Sequence, residues 1–293
     1  MKIPPPRESG VTSTTPLPLY WARYGTPGAR PILVLHGGPG AEHDYLLPQM
    51  LGIATPDREL VFYDQRGGGK SKTDDRAPIT WKTQVEDLAL VARELSLDSG
   101  DGLTIVGYSW GALLAMLYAI EAAAARSARP VARLALIDPA PVTRAFREQF
   151  EKEFSARQAG PVVRQLRDEL NASGLKESDP ETYRQRSFEL SVAGYFADPR
   201  RAHDLTPFRV VGRVQQSIWE SLGDFDLTRS GFLDSVRVPS LIVHGRQDPI
   251  PLASSEAAAA SLRSDLVVLE NCGHVPYVEQ PEQLFTALNN FLP

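Results

Sequence analysis

The chain of 293 residues contains a single cysteine, Cys272, so it cannot form an intrachain disulfide. Its formal net charge is −5, and it therefore lacks the positive excess of proteins that bind nucleic acid or anionic membrane surfaces. No apolar run approaches the roughly 18 residues that span a membrane, and residues 1–7 (MKIPPPR) lack the apolar core of a secretory signal. We expect a cytoplasmic protein with no nucleic-acid and no membrane partner, its oligomeric state being left open.

Short apolar runs alternate along the chain with helical patterns. The runs that end at glycine or a polar residue are 31–35, 60–63, 103–106, 134–137, 241–244 and 266–269, with a further short strand expected at 18–24. Such runs are typical of strands covered on both faces, and helical segments such as 85–95 lie between them. This order predicts an α/β fold with a mostly parallel central sheet and crossover helices. Residues 1–15 are expected to form a loose lead-in.

One long stretch, residues 142–233, contains no such apolar run. It is rich in arginine and glutamate, and it carries phenylalanines four residues apart, as on one face of a helix. We predict a helical insertion that covers the functional edge of the sheet. The predicted domains are a discontinuous core, 1–141 and 234–293, and a helical cap, 142–233.

The segment Gly107-Tyr108-Ser109-Trp110-Gly111 joins an apolar run to the helical stretch 112–119. A strand, Gly-X-Ser-X-Gly and a helix in this order predict a nucleophile elbow. A serine at such a turn has strained backbone angles, and glycines two residues before and after it relieve the crowding because they lack a Cβ. Ser109 is therefore the candidate nucleophile. The alternative is an ordinary strand-to-helix turn in which Ser109 only caps the helix.

A serine nucleophile needs a base to accept its proton, and a histidine usually supplies it. Of the five histidines, His274 is preferred because its loop, 271–276, follows the last apolar run and can overhang the strand ends. Asp248 follows the penultimate run and completes the chain order Ser, Asp, His. Asp138, which follows the run 134–137, is the less favoured acid. No cluster of cysteine, histidine or carboxylate residues has metal-ligand spacing, so no metal is expected.

Acyl transfer also needs N–H donors that bind the oxyanion of its tetrahedral intermediate. We expect one from the backbone of Trp110, which follows the candidate nucleophile. The other is expected from Gly38 in the loop 36–40 (HGGPG), where glycines let the backbone approach a ligand closely.

The loop 36–40, the segment 64–71 (DQRGGGKS), the elbow at 107–111, Asp248 and the Gly273-His274 loop form a recognisable set. Together they resemble the prolyl iminopeptidase family of α/β-hydrolases. The resemblance covers roughly residues 20–140 and 235–293. It implies a serine hydrolase with a helical cap and no cofactor, which forms an acyl-enzyme on a small-molecule or short-peptide substrate and releases an N-terminal proline or similar residue. Position by position, it implies the triad Ser109, Asp248 and His274 and the oxyanion donors Gly38 and Trp110.

The sequence departs from this family in the residues that bind the substrate's free α-amine, for which family peptidases use glutamates. Pro249 follows Asp248, and the glutamate expected near Val192 is missing. Glu189 and Glu220 remain as substitutes. The candidate substrate-binding residues are Tyr195, Trp219 and Glu220.

A cap without amine anchors would suit a neutral ester or lactone. The first alternative is therefore a carboxylesterase or lactonase that acts on small neutral esters and has no aminopeptidase activity. A second alternative belongs to another class of protein, a catalytically silent hydrolase fold that binds a ligand or a partner. A dehalogenase or epoxide hydrolase is disfavoured because those enzymes use an aspartate where this chain has Ser109.

Overall fold

The computed structural model of the chain describes residues 3–74, 76–99, 102–125 and 131–293. Within these residues one eight-stranded sheet is formed. Its strands are β1 (Glu8–Val11), β2 (Tyr20–Tyr24), β3 (Arg30–Leu35), β4 (Arg58–Tyr63), β5 (Leu103–Tyr108), β6 (Val131–Ile137), β7 (Ser240–Gly245) and β8 (Asp265–Leu269). Their spatial order is β1-β2-β4-β3-β5-β6-β7-β8. Pairings that involve β2 are antiparallel, and all other pairings are parallel.

Helices cover the sheet and form most of the chain between β6 and β7. They are α1 (Trp81–Glu94), α2 (Trp110–Ala124), α3 (Arg144–Gln158), α4 (Pro161–Ala172), α5 (Leu175–Ser178), α6 (Pro180–Val192), α7 (Gly212–Leu222), α8 (Leu252–Leu262), α9 (Pro276–Glu279) and α10 (Pro281–Phe291). The predicted parallel sheet with crossover helices is confirmed.

The continuous apolar runs have the expected cause, because side chains on both faces of the central strands are buried. In β3, Leu33 and Leu35 belong to the apolar cluster that contains α1 and α2. Ile32 and Val34, which point to the opposite face, belong to the cluster that contains α10. A strand that has both faces covered must be apolar at every position, and this removes the alternation seen in half-exposed strands.

The prediction of a loose lead-in for residues 1–15 is wrong in part. Glu8–Val11 forms β1, which pairs antiparallel with β2 at the edge of the sheet. Three of its four residues are exposed, so it carries no apolar pattern by which a strand can be predicted. Its pairing comes from backbone hydrogen bonds to β2, which do not depend on the side chains.

The segment 142–233 contributes no strand to the sheet and contains α3 to α7, as its helical spacing predicts. Thr143 caps α3 by accepting a hydrogen bond from the N–H of Phe146, and Asp179 caps α6 in the same way from Thr182. Proline occupies the first position of α4 and of α6, where its missing N–H is not needed. The division of the chain into a core and a cap at 142 and 233 stays a prediction.

A buried ion pair anchors the loop that follows β4. The guanidinium of Arg66 donates to both carboxylate oxygens of Asp87 on α1, at 2.7 and 2.6 Å. Both side chains are at most 4% exposed. A third guanidinium nitrogen donates to the carbonyl of Pro78. The loop therefore holds a fixed position over α1.

Among the helices of the described residues, none has both the length and the apolar character that a membrane span requires.

We predict that Asp87→Ala lowers the free energy of unfolding by about 3–5 kcal/mol, because it leaves the buried Arg66 cation without its partner. The matched control is Glu148→Ala, which removes the exposed Arg144–Glu148 pair on α3 and is expected to cost less than about 1 kcal/mol. Urea denaturation of both variants measures the difference. Equal costs for the two variants would contradict the anchoring role of the buried pair.

Candidate active site

The candidate residues lie where the parallel strands end. Gly38 follows β3, Ser109 follows β5, Asp138 follows β6, Asp248 follows β7 and His274 follows β8. Since the carboxyl ends of parallel strands lie along one edge of a sheet, loops that are distant in the chain meet there.

Ser109 sits at a sharp turn between β5 and α2 with φ 54° and ψ −119°, a conformation that is strained for a residue with a side chain. Its N–H donates to the carbonyl of Ile137 at 2.9 Å, and its own carbonyl accepts the N–H of Ala112 at 3.0 Å. A Cβ at Gly107 would lie 2.6 Å from Cα of Ala112, and one at Gly111 would lie 2.3 Å from the carbonyl oxygen of Leu35. Only glycine fits on either side of this serine, which agrees with the predicted elbow spacing.

His274 lies between the serine and an aspartate. Its Nε2 is 2.9 Å from Oγ of Ser109, and its Nδ1 is 2.7 Å from Oδ2 of Asp248. The Asp248 carboxylate is a hydrogen-bond acceptor, so Nδ1 carries the proton and Nε2 is free to accept one from Ser109. Asp248 is held in turn by the N–H of Ile250, which donates to its Oδ1 at 2.7 Å. The structure thus brings the three predicted residues together in one hydrogen-bonded chain.

The backbone of His274 is fixed as firmly as its ring. Its N–H donates to the carbonyl of Tyr195 at 2.7 Å, and its carbonyl accepts the hydroxyl of Tyr108 at 2.7 Å. The preceding Gly273 donates its N–H to Glu279, whose other carboxylate oxygen accepts the N–H of Ala197. Glu279 therefore ties this loop to the segment 142–233. No motif in the sequence pointed to Tyr108 or Glu279 in these roles.

Burial dominates the electrostatics of these groups. It lowers the pKa of His274, whereas negative charge on Asp138 or Glu279 acts to raise that pKa. Burial raises the pKa of Asp248, and the Ile250 N–H acts against this rise. Burial also raises the pKa of the buried Cys272 thiol, so this residue stays uncharged.

The loop after β3 is shaped by its neighbours. The N–H of Gly37 donates to the hydroxyl of Tyr45 at 2.7 Å, so it is already used within the protein. Gly38 has φ +127°, which only glycine adopts readily, and it lines the same cavity as Ser109. Trp110 begins α2, so its N–H has no acceptor within the helix. These positions suit the predicted oxyanion donors.

Gln65 joins the two elements that carry these N–H groups. Its side-chain amide donates to the carbonyl of His36 at 2.8 Å, and its Oε1 accepts the indole N–H of Trp110 at 2.8 Å. Its backbone N–H donates to Nε2 of His36, while Nδ1 of that ring donates to the carbonyl of Gly37. Burial lowers the pKa of His36 to about 4, so it stays neutral and keeps this tautomer. Gln65 belongs to the segment 64–71, one of those that carried the family resemblance. The sequence did not show that its side chain contacts both His36 and Trp110.

A cavity of about 290 Å³ opens beside Ser109. Its walls are mainly aromatic and aliphatic, with amide and hydroxyl groups among them. The lining residues are Gly38, Tyr45, Tyr108, Ser109, Phe154, Phe188, Ser191, Val192, Tyr195, Leu205, Phe208, Val210, Gln215, His274, Val275 and Tyr277. Among the described residues, none of those that line it is a carboxylate. Its polar groups are hydroxyls, the amide of Gln215, backbone groups and the ring of His274.

The structure separates the three predicted substrate-binding residues. Tyr195 lines the cavity, and its ring lies 5.1 Å from that of His274. Trp219 and Glu220 are not among the residues that line it: both line another groove, between α3 and α7. The cavity side of α7 is formed by Gln215, and Trp219 lies one turn, about 6 Å, further along the axis. There the indole contacts Trp110 and the Arg147 guanidinium.

The remaining acid considered in the sequence, Glu189, also lies elsewhere. Its carboxylate accepts hydrogen bonds from Gln185 and Arg186. It lines a separate cavity of about 350 Å³ between α4 and α6. The described structure therefore offers no acid to the cavity at Ser109 from either of the two positions that the sequence suggested.

Comparison with known proteins identifies relatives of this chain. A model of the alpha/beta hydrolase family matches residues 32–287. The chain is 26% identical to a proline iminopeptidase of Heyndrickxia coagulans over 284 residues, covering 90% of this chain and 91% of the relative. It is 24% identical to a proline iminopeptidase of Saccharolobus solfataricus, covering 97% and 92%. The resemblance to prolyl iminopeptidases expected from the sequence is confirmed.

Solved structures share the fold. A proline iminopeptidase of Mycobacterium smegmatis superimposes with a TM-score of 0.68 at 19% identity, covering 97% of each chain. The naproxen esterase of Bacillus subtilis superimposes with a TM-score of 0.63 at 18% identity, covering 98% of this chain and 91% of that one. Proteins named as peptidase and as esterase are thus both among the structural neighbours.

We predict that Gly111→Ala destabilises the protein by about 1–3 kcal/mol or more, because its Cβ would overlap the carbonyl oxygens of Leu35 and His36. The control is Gly212→Ala at the start of α7, where a Cβ would meet nothing within 4 Å and helix propensity improves. Thermal unfolding of both variants is the measurement. A Gly111→Ala variant as stable as Gly212→Ala would contradict the close approach at the elbow.

Proposed function

The chain belongs to the alpha/beta hydrolase family, and from this premise we propose that it is a serine hydrolase that cleaves a carboxylic ester or amide through an acyl-enzyme. Ser109 is the nucleophile, His274 the general base and acid, and Asp248 the residue that orients the imidazole. The observation that carries the proposal is the hydrogen-bonded chain with Oγ of Ser109 2.9 Å from His274 and that ring 2.7 Å from Asp248.

The reaction follows from these contacts. Nε2 of His274 takes the hydroxyl proton as Oγ of Ser109 attacks the substrate's carbonyl carbon. The resulting imidazolium is stabilised by the negative charge of Asp248. The same nitrogen then gives the proton to the leaving alkoxide or amine, and the acyl group stays on Ser109. A water molecule then gives a proton to His274 and attacks the acyl carbon. The bond from this carbon to Oγ of Ser109 breaks, Oγ takes the proton from His274, and the acid is released.

The oxyanion formed in both steps would be bound by the N–H groups of Gly38 and Trp110. In this proposal Gln65 keeps the two donors in register, because it contacts both the loop after β3 and the indole of Trp110. Donors held in advance stabilise the transition state without having to reorganise as charge develops.

The segment 142–233 supplies the outer wall of the cavity and acts, we propose, as a cap. Residues of α3, α6 and α7 and of the turns between α6 and α7 line the cavity opposite Ser109. The cap would limit the access of water to the acyl group and select the substrate by shape.

Two substrate classes are compatible with this chemistry. The relatives named proline iminopeptidase favour release of an N-terminal proline. The cavity favours small neutral esters, because a protonated α-amine placed in it would meet no carboxylate among the described lining residues and would lose its hydration. We therefore give preference to a carboxylesterase activity on neutral acyl groups.

We predict that Ser109→Ala reduces the turnover of p-nitrophenyl esters by at least about 10³-fold and abolishes labelling by a fluorophosphonate, since the attacking oxygen is removed. Ser235→Ala, at an exposed turn, is the control and should behave like the wild type. Turnover of both an ester and a prolyl arylamide at the wild-type rate in Ser109→Ala would overturn the mechanism.

The two substrate classes are separated by a matched pair of p-nitrophenyl esters, one of proline and one of cyclopentanecarboxylic acid, in which a methylene replaces the charged imino group. We predict that kcat/KM is at least about tenfold higher for the cyclopentane ester, because an unpaired cation in the cavity costs more than the about 1–3 kcal/mol of an unsatisfied neutral group.

The variant Gln215→Glu places a carboxylate on the wall of the same cavity and should shift this ratio toward the proline ester. A wild-type protein that prefers the proline ester would favour the iminopeptidase activity instead.

A further inference from the structure

A second buried aspartate, Asp138, lies beside the proposed triad and has no role in the mechanism above. It follows β6 with φ 39° and is fully buried. Its Oδ1 accepts the N–H of Gly245 at 2.8 Å. Its Oδ2 is buried and meets no N–H or hydroxyl donor. An ionised carboxylate oxygen in that situation would lose its hydration without replacement.

The two aspartates are close neighbours. Side-chain atoms of Asp138, Asp248 and His274 all lie within 4.8 Å of one another. Asp248 already accepts hydrogen bonds on both of its oxygens, from the N–H of Ile250 and from Nδ1 of His274. Two negative charges this close in a buried site repel strongly, and one carboxyl then keeps its proton. The carboxyl with fewer donors is Asp138.

We propose that Asp138 is protonated during catalysis and donates this proton in a hydrogen bond from its Oδ2 to the carboxylate of Asp248. The acid of the triad is then a pair of carboxyls that shares one negative charge, and Asp138 is a positioning residue that holds Asp248 against His274. This inference rests on the proposed function, because it assigns a role within the same triad.

The direction of the pKa shifts agrees with this assignment. Burial raises the pKa of Asp138 well above its usual value, and the negative charge of Asp248 raises it further. Burial raises the pKa of Asp248 as well, but the N–H of Ile250 and the positive charge of Arg157 lower it, and Asp138 has no cation of this kind among the described residues. Asp138 is therefore the donor and Asp248 the acceptor.

Groups from every neighbouring element face this pair. Asp248 and His274 act on the pKa of Asp138. The other neighbours are His244 on β7, and Tyr108 on β5, Cys272 in the His274 loop and Tyr277 on α9, whose own pKa values a charge on Asp138 would raise. Arg157 and Glu279 act on Asp248. His244 is 3.6 Å from Asp138, but burial lowers its pKa to about 4. It is neutral at pH 7 and supplies no cation that would ionise Asp138.

The test uses Asp138→Asn, whose amide can accept from Gly245 and donate to Asp248 as the protonated acid does. We expect a folded enzyme with kcat within about threefold of the wild type. The acid limb of its pH profile for kcat/KM should stay in place, since no charge is removed near His274. Asp138→Ala, which lacks the donor, should lower kcat about tenfold or more.

An independent readout is the pKa of the His274 imidazole, measured by NMR titration in the Ser109→Ala background with and without Asp138→Asn. We expect the same pKa in both. If Asp138 is ionised in the native protein, its replacement removes a negative charge and lowers the His274 pKa by about one unit or more. Such a fall, or an Asn variant that does not fold or is as slow as Asp138→Ala, overturns the proposal.

The outcomes separate this inference from the proposed function. Loss of activity in Ser109→Ala together with a shifted His274 pKa in Asp138→Asn contradicts only the carboxyl pair. Full activity in Ser109→Ala contradicts the serine mechanism, while the NMR titration still reports the charge of Asp138.

Discussion

The imidazole of His274 has a hydrogen-bond partner on each nitrogen, and the backbone of the same residue has one on its N–H and one on its carbonyl oxygen. These four partners come from three parts of the chain: Tyr108 and Ser109 at the end of β5, Tyr195 in the segment 142–233, and Asp248 after β7. A ring held in this way keeps one tautomer and one orientation, and proton transfer to and from a serine oxygen requires both. His274 is therefore the residue at which the loop after β8, the edge of the sheet and the segment 142–233 are hydrogen-bonded to one another.

Burial determines which groups of the site carry a charge. It makes the charged state of a group costly unless a partner is present, so the arrangement of donors decides which carboxyl is ionised. The same rule applies to the substrate. A cavity lined by aromatic rings, aliphatic side chains, amides and hydroxyls can take a neutral acyl group without leaving a charge unpaired. The proposed preference for neutral substrates and the proposed protonation of Asp138 thus follow from one physical constraint.

Much of the fold could be predicted because buried parallel strands must be apolar throughout. The runs that became β3 to β8, the helix α1 and the helical character of 142–233 followed from pattern alone. The Gly-X-Ser-X-Gly spacing indicated the elbow because sterics allow nothing larger than glycine there. The edge strand β1 could not be predicted, since its exposed side chains carry no pattern. The sequence could not show which part of α7 lines the cavity: Gln215 does, whereas Trp219, one turn further along the helix, contacts Trp110.

The sequence by itself determined the order of strands and helices, the strained serine turn and the chemical type of each group at the strand ends, because these depend on local sterics and on hydrophobic periodicity. Only the tertiary structure decided which aspartate bonds to His274, that Gln65 bridges the loop after β3 and Trp110, and that the described residues lining the cavity include no acid. Each of these depends on distances between segments far apart in the chain. Hydrogen bonds and charge repulsion act over a few ångströms, and only the packed fold sets such distances.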